Sequence, residues 1–171
     1  MARVPSPADV AALSRDEWER LCRGLAVEIF QAEGIEDRLG KGNGMDMMRS
    51  DPQGIVGWQF RRFDGRLGPE QSRKIRASLD LASVRAKAED RAPLIEYEVW
   101  ANLDLEPGHL SVVGERERVS ELRSYADSIG VKFKFRGLTW IHTKLLRHPY
   151  LVPGLFEDVP ARLAELQSEA A

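Results

Sequence analysis

The sequence predicts an α/β domain of three layers, in which helices flank a central mixed sheet. Segments with the 3.6-residue periodicity of helices alternate with segments whose apolar residues recur at every second position. Glycine and proline separate these segments. A length of 171 residues suits one domain with one hydrophobic core. The expected order is helix, hairpin, helix, strand, helix, strand, helix.

The N-terminal part is predicted as a lead-in followed by a long helix. Residues 1–13 are rich in proline and alanine, and we expect a flexible segment that precedes a domain of residues 14–158. Ser14 and Glu17 have the spacing of a capping box. The apolar stripe behind this box indicates an amphipathic helix, which Gly34 ends.

A hairpin follows the first helix. The glycine-rich segment 40–44 indicates a flexible loop before a short strand over residues 45–49. Pro52 lies where a type I or II turn favours proline, and the alternation after it predicts a strand over residues 55–63.

The remaining elements alternate between helices and strands, and Ile95, Tyr97 and Val99 are expected to share one face of their strand. The expected elements are a helix that begins at Gly68-Pro69, a strand over 94–101, a helix from about Glu115 that buries Val119, Leu122, Ala126 and Ile129, a strand over 131–135, a short helix near 139–147 and a weakly helical tail or linker over 159–171.

Composition excludes several classes of protein. A single cysteine, Cys22, excludes an internal disulfide framework and a cysteine-based zinc cluster. No stretch approaches the roughly 20 apolar residues that a membrane span needs, and the N-terminus lacks the apolar region of a signal peptide. The expected location is the cytoplasm, without membrane association.

Positive charge is concentrated in one part of a chain whose formal net charge is −2. Between Arg61 and Arg76, two acidic residues, Asp64 and Glu70, accompany a larger basic set. That set comprises Arg61, Arg62, Arg66, Arg73, Lys74 and Arg76. A local positive field attracts a polyanion such as nucleic acid, although a charge run is also typical of a solvated helix face.

The strand over residues 55–63 carries the candidate chemistry. Val56, Trp58 and Phe60 form a core face, which leaves Gln59 and Arg61 on the other face. The two expected strands of the hairpin are adjacent, so Asp46 is a neighbour of Gln59. Hydrolysis of a phosphodiester needs hard oxygen ligands for Mg²⁺ and a cation beside the attacking water. Asp46, the Gln59 side-chain oxygen and Arg61 are candidates for these parts. Alternatively, Asp46 closes a turn, and Gln59 and Arg61 are solvated.

Four motifs carry a resemblance to a known family. Gly40-x-Gly42-x-Gly44-x-Asp46 and Gly54-x-x-Gly57-Trp58-Gln59-Phe60-Arg61-Arg62-Phe63 resemble the core of Mrr-type restriction-endonuclease-like domains. These domains are a branch of the PD-(D/E)xK nucleases in which Gln replaces the second acid. Trp18-Glu19-x-x-Cys22 is similar to the family's first helix. Gly68-Pro69-x-Gln71-x-x-Lys74-Ile75 is similar to a helix in the nuclease domains fused to bacterial signalling ATPases.

The resemblance covers roughly residues 14–101. It implies a restriction-endonuclease-like fold and a Mg²⁺- or Mn²⁺-dependent endonuclease activity on double-stranded DNA. It further implies an effector role in bacterial defence, as a homo-oligomer or within a larger assembly. The implied roles are metal ligation by Asp46 and Gln59 with Glu19 nearby, charge balance at the scissile phosphate by Arg61 or Lys74, and contact with the DNA backbone by Arg62, Arg66 and Arg73.

One position departs from the family pattern. Arg61 stands where the family has lysine, and an arginine stays protonated, so it is poorly suited to preparing a water for attack. Either Lys74 takes the lysine's role from the following helix, or the position tolerates arginine in an Arg-rich chain.

Two further hypotheses remain open from the sequence. One is a catalytically inactive module that binds nucleic acid or a partner through the same surface. The other is an assembly domain whose interface is the Trp100 side of its strand or the helix that carries Trp140.

Overall fold

The computed structural model describes residues 4–37, 44–104 and 113–153. The described helices are α1 (Pro7–Ala11), α2 (Arg15–Phe30), α3 (Pro69–Arg85), α4 (Val113–Ser128) and α5 (Leu138–Arg147). The described strands are β1 (Glu36–Asp37), β2 (Met47–Asp51), β3 (Gly54–Arg61), β4 (Leu94–Ala101) and β5 (Lys132–Arg136). Single 3₁₀ turns follow α2 and α5, and a π-helical turn, Ala86–Asp90, extends α3.

The sheet is mixed, and its strands lie side by side in chain order. The pairs β1–β2 and β2–β3 are antiparallel, as in a meander. The pairs β3–β4 and β4–β5 are parallel, with α3 and α4 as their respective crossovers. A parallel pair needs such a crossover, because the chain must return to the same end of the sheet.

Helices cover both faces of the sheet, which confirms the predicted three-layer α/β fold. One face packs against α1, α2 and α5, and there Val56, Trp58 and Phe60 form the predicted core face of β3. The other face packs against α3 and α4. None of the described helices is long and apolar enough to cross a membrane.

Local sequence signals predicted the ends of several helices and strands correctly. The Ser14–Glu17 capping box begins α2. Gly34 follows the 3₁₀ turn after α2 in the left-handed conformation, with φ 78°. Strand β4 spans the residues expected for it. Residues 40–43 of the glycine segment and the predicted tail over 159–171 lie outside the described residues.

The N-terminal segment differs from the flexible lead-in that was predicted. Ser6 caps α1 with a capping box of its own, and Val10 and Leu13 are buried against the α2 side of the core. The Leu13 carbonyl also accepts a hydrogen bond from Arg62. A five-residue helix is too short to show a clear periodicity, so composition alone was misleading.

Three apolar residues also differ from expectation. Ile95 packs with the α2-side cluster, not beside Tyr97, because the β3–β4 register shifts next to it and reverses its face. Ile129 lies past the end of α4 and is 39% exposed. Trp100 is fully buried and contacts Trp140 edge to face, so the proposed interface on its side of the strand is wrong.

Candidate functional site

A pocket of about 600 Å³ lies where β3 ends. Its walls come from the C-terminal end of β3 and the loop after it, from the beginning of α2 and from the first turns of α3. The lining comprises Arg15, Glu19, Asp46, Gln59, Phe60, Arg61, Arg62, Phe63, Asp64, Gly65, Arg66, Gln71 and Lys74. Five of these side chains are cationic and three are carboxylates, so the pocket combines a positive excess with isolated negative charge.

Most residues singled out from the sequence meet at this pocket. Those that line it are Glu19, Asp46, Gln59, Arg61, Arg62, Arg66 and Lys74. Arg73 does not line the pocket and is exposed on α3. The separate sequence motifs therefore converge in space, although they lie on four different segments of the chain.

Asp46 bridges β2 and β3 at the floor of the pocket. Its backbone N–H donates to the Trp58 carbonyl at 2.7 Å, and its Oδ2 accepts from the Phe60 N–H at 2.8 Å. The second oxygen, Oδ1, lies 3.8 Å from Nη2 of Arg23. The Asp46 side chain is only 23% exposed. The carboxylate is thus fixed through one oxygen, whereas the other keeps capacity for a further ligand.

Burial dominates the electrostatics of Asp46. It raises the pKa of this carboxyl above its usual value of 3.8, and the nearby Glu19 charge adds to the rise. The Phe60 hydrogen bond, Arg23 and Arg61 lower the pKa without cancelling the effect of burial. The negative charge of Asp46 is therefore incompletely compensated, and a cation held next to it would be stabilised.

Gln59 faces a buried tyrosine. The Tyr97 hydroxyl donates to Oε1 of the Gln59 side chain and also lies 2.6 Å from the Gly44 carbonyl oxygen. Tyr97 is fully buried in β4. Gln59 is therefore anchored from below by a residue of the next strand, and it is not the freely solvated side chain of the alternative interpretation.

Arg61 is held by α3 through a single hydrogen bond. Its Nη2 donates to the Ser78 hydroxyl, while its Nε is buried without a hydrogen-bond partner. Among the residues that the structure describes, no ion pair to a carboxylate engages Arg61. A half-buried guanidinium that lines a pocket is well suited to bind an anionic ligand such as a phosphate.

The cations at the mouth of the pocket are loosely held. Arg15 and Lys74 pair with carboxylates one turn away, Glu19 at 3.6 Å and Glu70 at 3.5 Å. Arg66 lies 4.0 Å from Glu115. The side chains of Arg15, Arg66 and Lys74 are 81%, 73% and 62% exposed. Exposed pairs of this kind contribute little to stability, so these cations can rearrange around a polyanion.

Arg62 differs from the other cations of the pocket. Its Nε donates to the Leu13 carbonyl and its Nη1 to Asp64, and only 25% of its side chain is exposed. Arg62 therefore joins the N-terminal segment to the loop after β3, in addition to lining the pocket.

The donor set fits a hard divalent cation. Asp46 and Glu19 supply carboxylates, and Gln59 supplies an amide whose Oε1 already accepts from Tyr97 and has one further lone pair; the three residues line one pocket. Within the described ranges, no group of three or more His, Cys, Asp or Glu side chains forms a complete metal cage. Mg²⁺ does not need one, because it commonly binds through one or two carboxylates and keeps waters or substrate phosphates as its other ligands.

No protein-family model matches the sequence, and no curated protein is similar enough to be identified as a relative.

Sequence reasoning missed four residues that complete the site: Arg15, Arg23, Ser78 and Tyr97. A signal existed for the first two, because Arg15, Glu19 and Arg23 recur at four-residue intervals on one helical face. Ser78 and Tyr97 gave no such signal. Tyr97 was assigned to the core by its alternation in β4, and only the three-dimensional structure brings its hydroxyl to Gln59.

Proposed function

We propose that this protein is a divalent-metal-dependent endonuclease that hydrolyses phosphodiester bonds of DNA. The observation that carries the proposal is the convergence of Asp46, Gln59 and Arg61 on one pocket with a positive rim. A carboxylate, an amide and a guanidinium that line the same pocket can hold a cation and a phosphate together. The motif resemblance to Mrr-type domains supports the same chemistry.

Asp46 and Gln59 would bind the metal, and Glu19, which lines the same pocket, would hold its waters. The bound ion would supply Lewis acidity at the phosphate and make water a stronger acid. Arg61, which lines the pocket, would donate from its guanidinium to a non-bridging phosphate oxygen and stabilise charge that develops in the transition state.

Preparation of the attacking water falls to another group. Arg61 cannot lose a proton at neutral pH. Lys74 lines the same pocket on a flexible, exposed side chain, which can bring its compact ammonium group to the attacking water. We therefore assign the missing lysine's role to Lys74. Arg66 and Arg15 would contact the DNA backbone, and Arg73 could extend that contact along α3.

A catalytically inactive module that binds nucleic acid is the second candidate. The observation that favours it is the substitution of arginine for lysine at position 61, together with the hydrogen bond that holds Arg61 on Ser78. Under either candidate, the resemblance supports a cytoplasmic effector in bacterial defence that acts as a homo-oligomer or within a larger assembly.

A plasmid assay distinguishes the two candidates. Supercoiled DNA incubated with the protein and Mg²⁺ or Mn²⁺ is expected to become nicked or linear, and EDTA is expected to stop the reaction. A protein that binds the plasmid with equal affinity in metal and in EDTA, and leaves it supercoiled in both, would support the inactive module and contradict the endonuclease.

The exposed cations at the mouth of the pocket, Arg15, Arg66 and Lys74, lead to a separate prediction about DNA affinity. Arg66→Ala removes an exposed cation at the mouth of the pocket, so DNA binding is expected to weaken by a similar factor for all sequences. The slope of log K against log salt should fall by about one. Fluorescence anisotropy across a salt series measures both quantities in EDTA.

Arg85→Ala is the matched control, because Arg85 lies at the far end of α3 and pairs with Glu89. It is expected to bind DNA like the wild type. Equal losses in the two variants would show that DNA does not bind preferentially at the pocket.

A further inference from the structure

We propose that Arg23 competes with the metal for Asp46, and that Asp37 draws Arg23 away when a cation binds. This inference rests on the proposed function, because it concerns what opposes metal binding at the same carboxylate. The motifs that resemble a nuclease include neither Arg23 nor Asp37, and neither residue lines the pocket.

Arg23 lies on α2, one turn after Glu19, and its guanidinium reaches two different acids. Its Nη1 donates to the Asp37 carboxylate of β1 and to the Asp46 carbonyl oxygen at 3.3 Å. Its Nη2 lies 3.8 Å from Oδ1 of the Asp46 carboxylate. One cation is therefore shared between the acid proposed to bind the metal and an acid on the first strand of the sheet.

The contact between Arg23 and the Asp46 carboxylate is the weaker side of this arrangement. A separation of 3.8 Å exceeds hydrogen-bond distance, so the guanidinium attracts Oδ1 without donating to it. The other oxygen, Oδ2, accepts from the Phe60 N–H at 2.8 Å. Oδ1 is thus the oxygen that can take a stronger ligand, and Arg23 is the ion-pair partner that such a ligand displaces.

Burial of Asp46 explains why the fold supplies such a cation. The Asp46 side chain is only 23% exposed, and a buried carboxylate without a compensating charge is costly. Arg23 provides part of that compensation. A divalent cation bound to Oδ1 would lie close to the guanidinium, and like charges at a short separation repel each other strongly. Metal binding therefore requires Arg23 to withdraw from Asp46.

Asp37 provides the place to which Arg23 can withdraw. Its side chain is 50% exposed and already contacts Nη1 of Arg23. Pairing of the whole guanidinium with Asp37 would release Oδ1 of Asp46. Exposed ion pairs contribute little to stability, so this exchange costs little free energy. The two residues are therefore expected to have opposite effects: Arg23 lowers the affinity for the metal, and Asp37 raises it.

Arg23→Gln tests the competition without removing any proposed metal ligand. The measured quantity is the affinity for Mn²⁺ alone, obtained from the electron paramagnetic resonance signal of free Mn²⁺, with no DNA present. We expect binding to become roughly 10-fold tighter, because the repulsion between the guanidinium and the ion is lost. Damage to the fold would weaken binding, so the sign of the change separates the two explanations. An affinity that does not rise would overturn the proposal.

Arg49→Gln is the matched control. Arg49 also bridges two acids, Glu33 at 3.4 Å and Asp51 at 3.3 Å, but it does not line the pocket and makes no ion pair with Asp46. Its loss should leave the Mn²⁺ affinity unchanged. Equal gains in Arg23→Gln and Arg49→Gln would reflect net charge alone and would contradict a specific role for Arg23.

The reciprocal variant, Asp37→Asn, removes the acid that draws Arg23 away. We expect Mn²⁺ binding to become roughly 5-fold weaker. Because Asp37 acts through Arg23, the protein that carries both Arg23→Gln and Asp37→Asn should bind as tightly as Arg23→Gln alone. Single effects that multiply would overturn the proposal. A wild type that binds no Mn²⁺ would overturn the proposed function as well, whereas a wild type that binds Mn²⁺ with the same affinity as Arg23→Gln would overturn this inference alone.

Discussion

Replacement of Asp46 by asparagine is expected to abolish metal-dependent DNA cleavage and, at the same time, to stabilise the metal-free protein at neutral pH. The two effects have one cause, the partly compensated charge of a buried carboxylate. Loss of that charge removes the main attraction for the cation. A cation contributes several kcal/mol to a transition state, so cleavage should slow by roughly 10³-fold or more, about 4 kcal/mol.

The stability effect follows from the direction of the Asp46 pKa shift. Burial raises this pKa above the unfolded-state value, so the folded protein binds the Asp46 proton more tightly than the unfolded chain does. The stability contributed by that proton is present at acid pH and is lost as the pH rises through the folded-state pKa. At pH 7 the ionised Asp46 therefore lowers the free energy of unfolding. Asparagine carries no charge and can still accept the Phe60 N–H bond.

Two measurements check this prediction, the rate of plasmid cleavage in Mg²⁺ and the melting temperature at pH 7 in EDTA. Asp127→Asn is the control, because Asp127 is exposed on α4 and does not line the pocket. It should change neither quantity appreciably. Wild-type cleavage by the Asp46→Asn protein, or a lower melting temperature in EDTA, would contradict the account of this residue.

Gly44→Ala is expected to produce the second large effect, a loss of about 3 kcal/mol in the free energy of unfolding. Gly44 has a φ of 74°, a conformation that costs an L-residue about 1 kcal/mol. Its missing Cβ would also lie 2.2 Å from the Ser78 carbonyl and 2.8 Å from the Ala82 nitrogen. Both contacts are to backbone atoms of α3, so relief requires movement of the chain, and overpacking of this kind adds roughly 1–3 kcal/mol.

Gly34→Ala isolates the steric part of that loss. Gly34 has nearly the same φ, 78°, but its Cβ would meet no atom within 4 Å. Only the cost of the backbone conformation, about 1 kcal/mol, is expected there. Urea unfolding of both variants gives the comparison. Equal losses would mean that close approach to α3 is unimportant at Gly44.

Much of the fold was predictable because its signals are local. The capping box at Ser14, the left-handed glycines that end helices, and the alternation of Val56, Trp58 and Phe60 each depend on neighbouring residues alone. Such signals specify element type and which face is buried. These signals were sufficient to predict a three-layer fold with a mixed sheet without any knowledge of tertiary contacts.

The misjudged residues are those whose environment depends on distant parts of the chain. Ile95 follows the alternation of β4, but a register shift against β3 moves it to the other face. The burial of Trp100 could not be predicted from its neighbours in sequence, because the α5 residue that packs against it, Trp140, lies 40 positions later.

In the candidate site, too, some residues could be predicted from the sequence and others could not. Asp46, Gln59 and Arg61 could be singled out because they fall on the expected hairpin with residue types suited to metal and phosphate chemistry. Their hydrogen-bond partners could not be predicted, because Phe60 binds Asp46 through its backbone and Ser78 reaches Arg61 from another helix. Sequence indicated which groups could do chemistry, and only the fold supplied the groups that hold them in place.

The most direct test of the central claim is a crystal structure of the protein soaked in Mn²⁺, with anomalous scattering used to locate the ion. The account predicts a peak in the pocket at roughly 2 Å from an Asp46 carboxylate oxygen and from the Gln59 side-chain oxygen, with waters as its other ligands. A crystal that takes up Mn²⁺ elsewhere and leaves these two oxygens without a metal would contradict it.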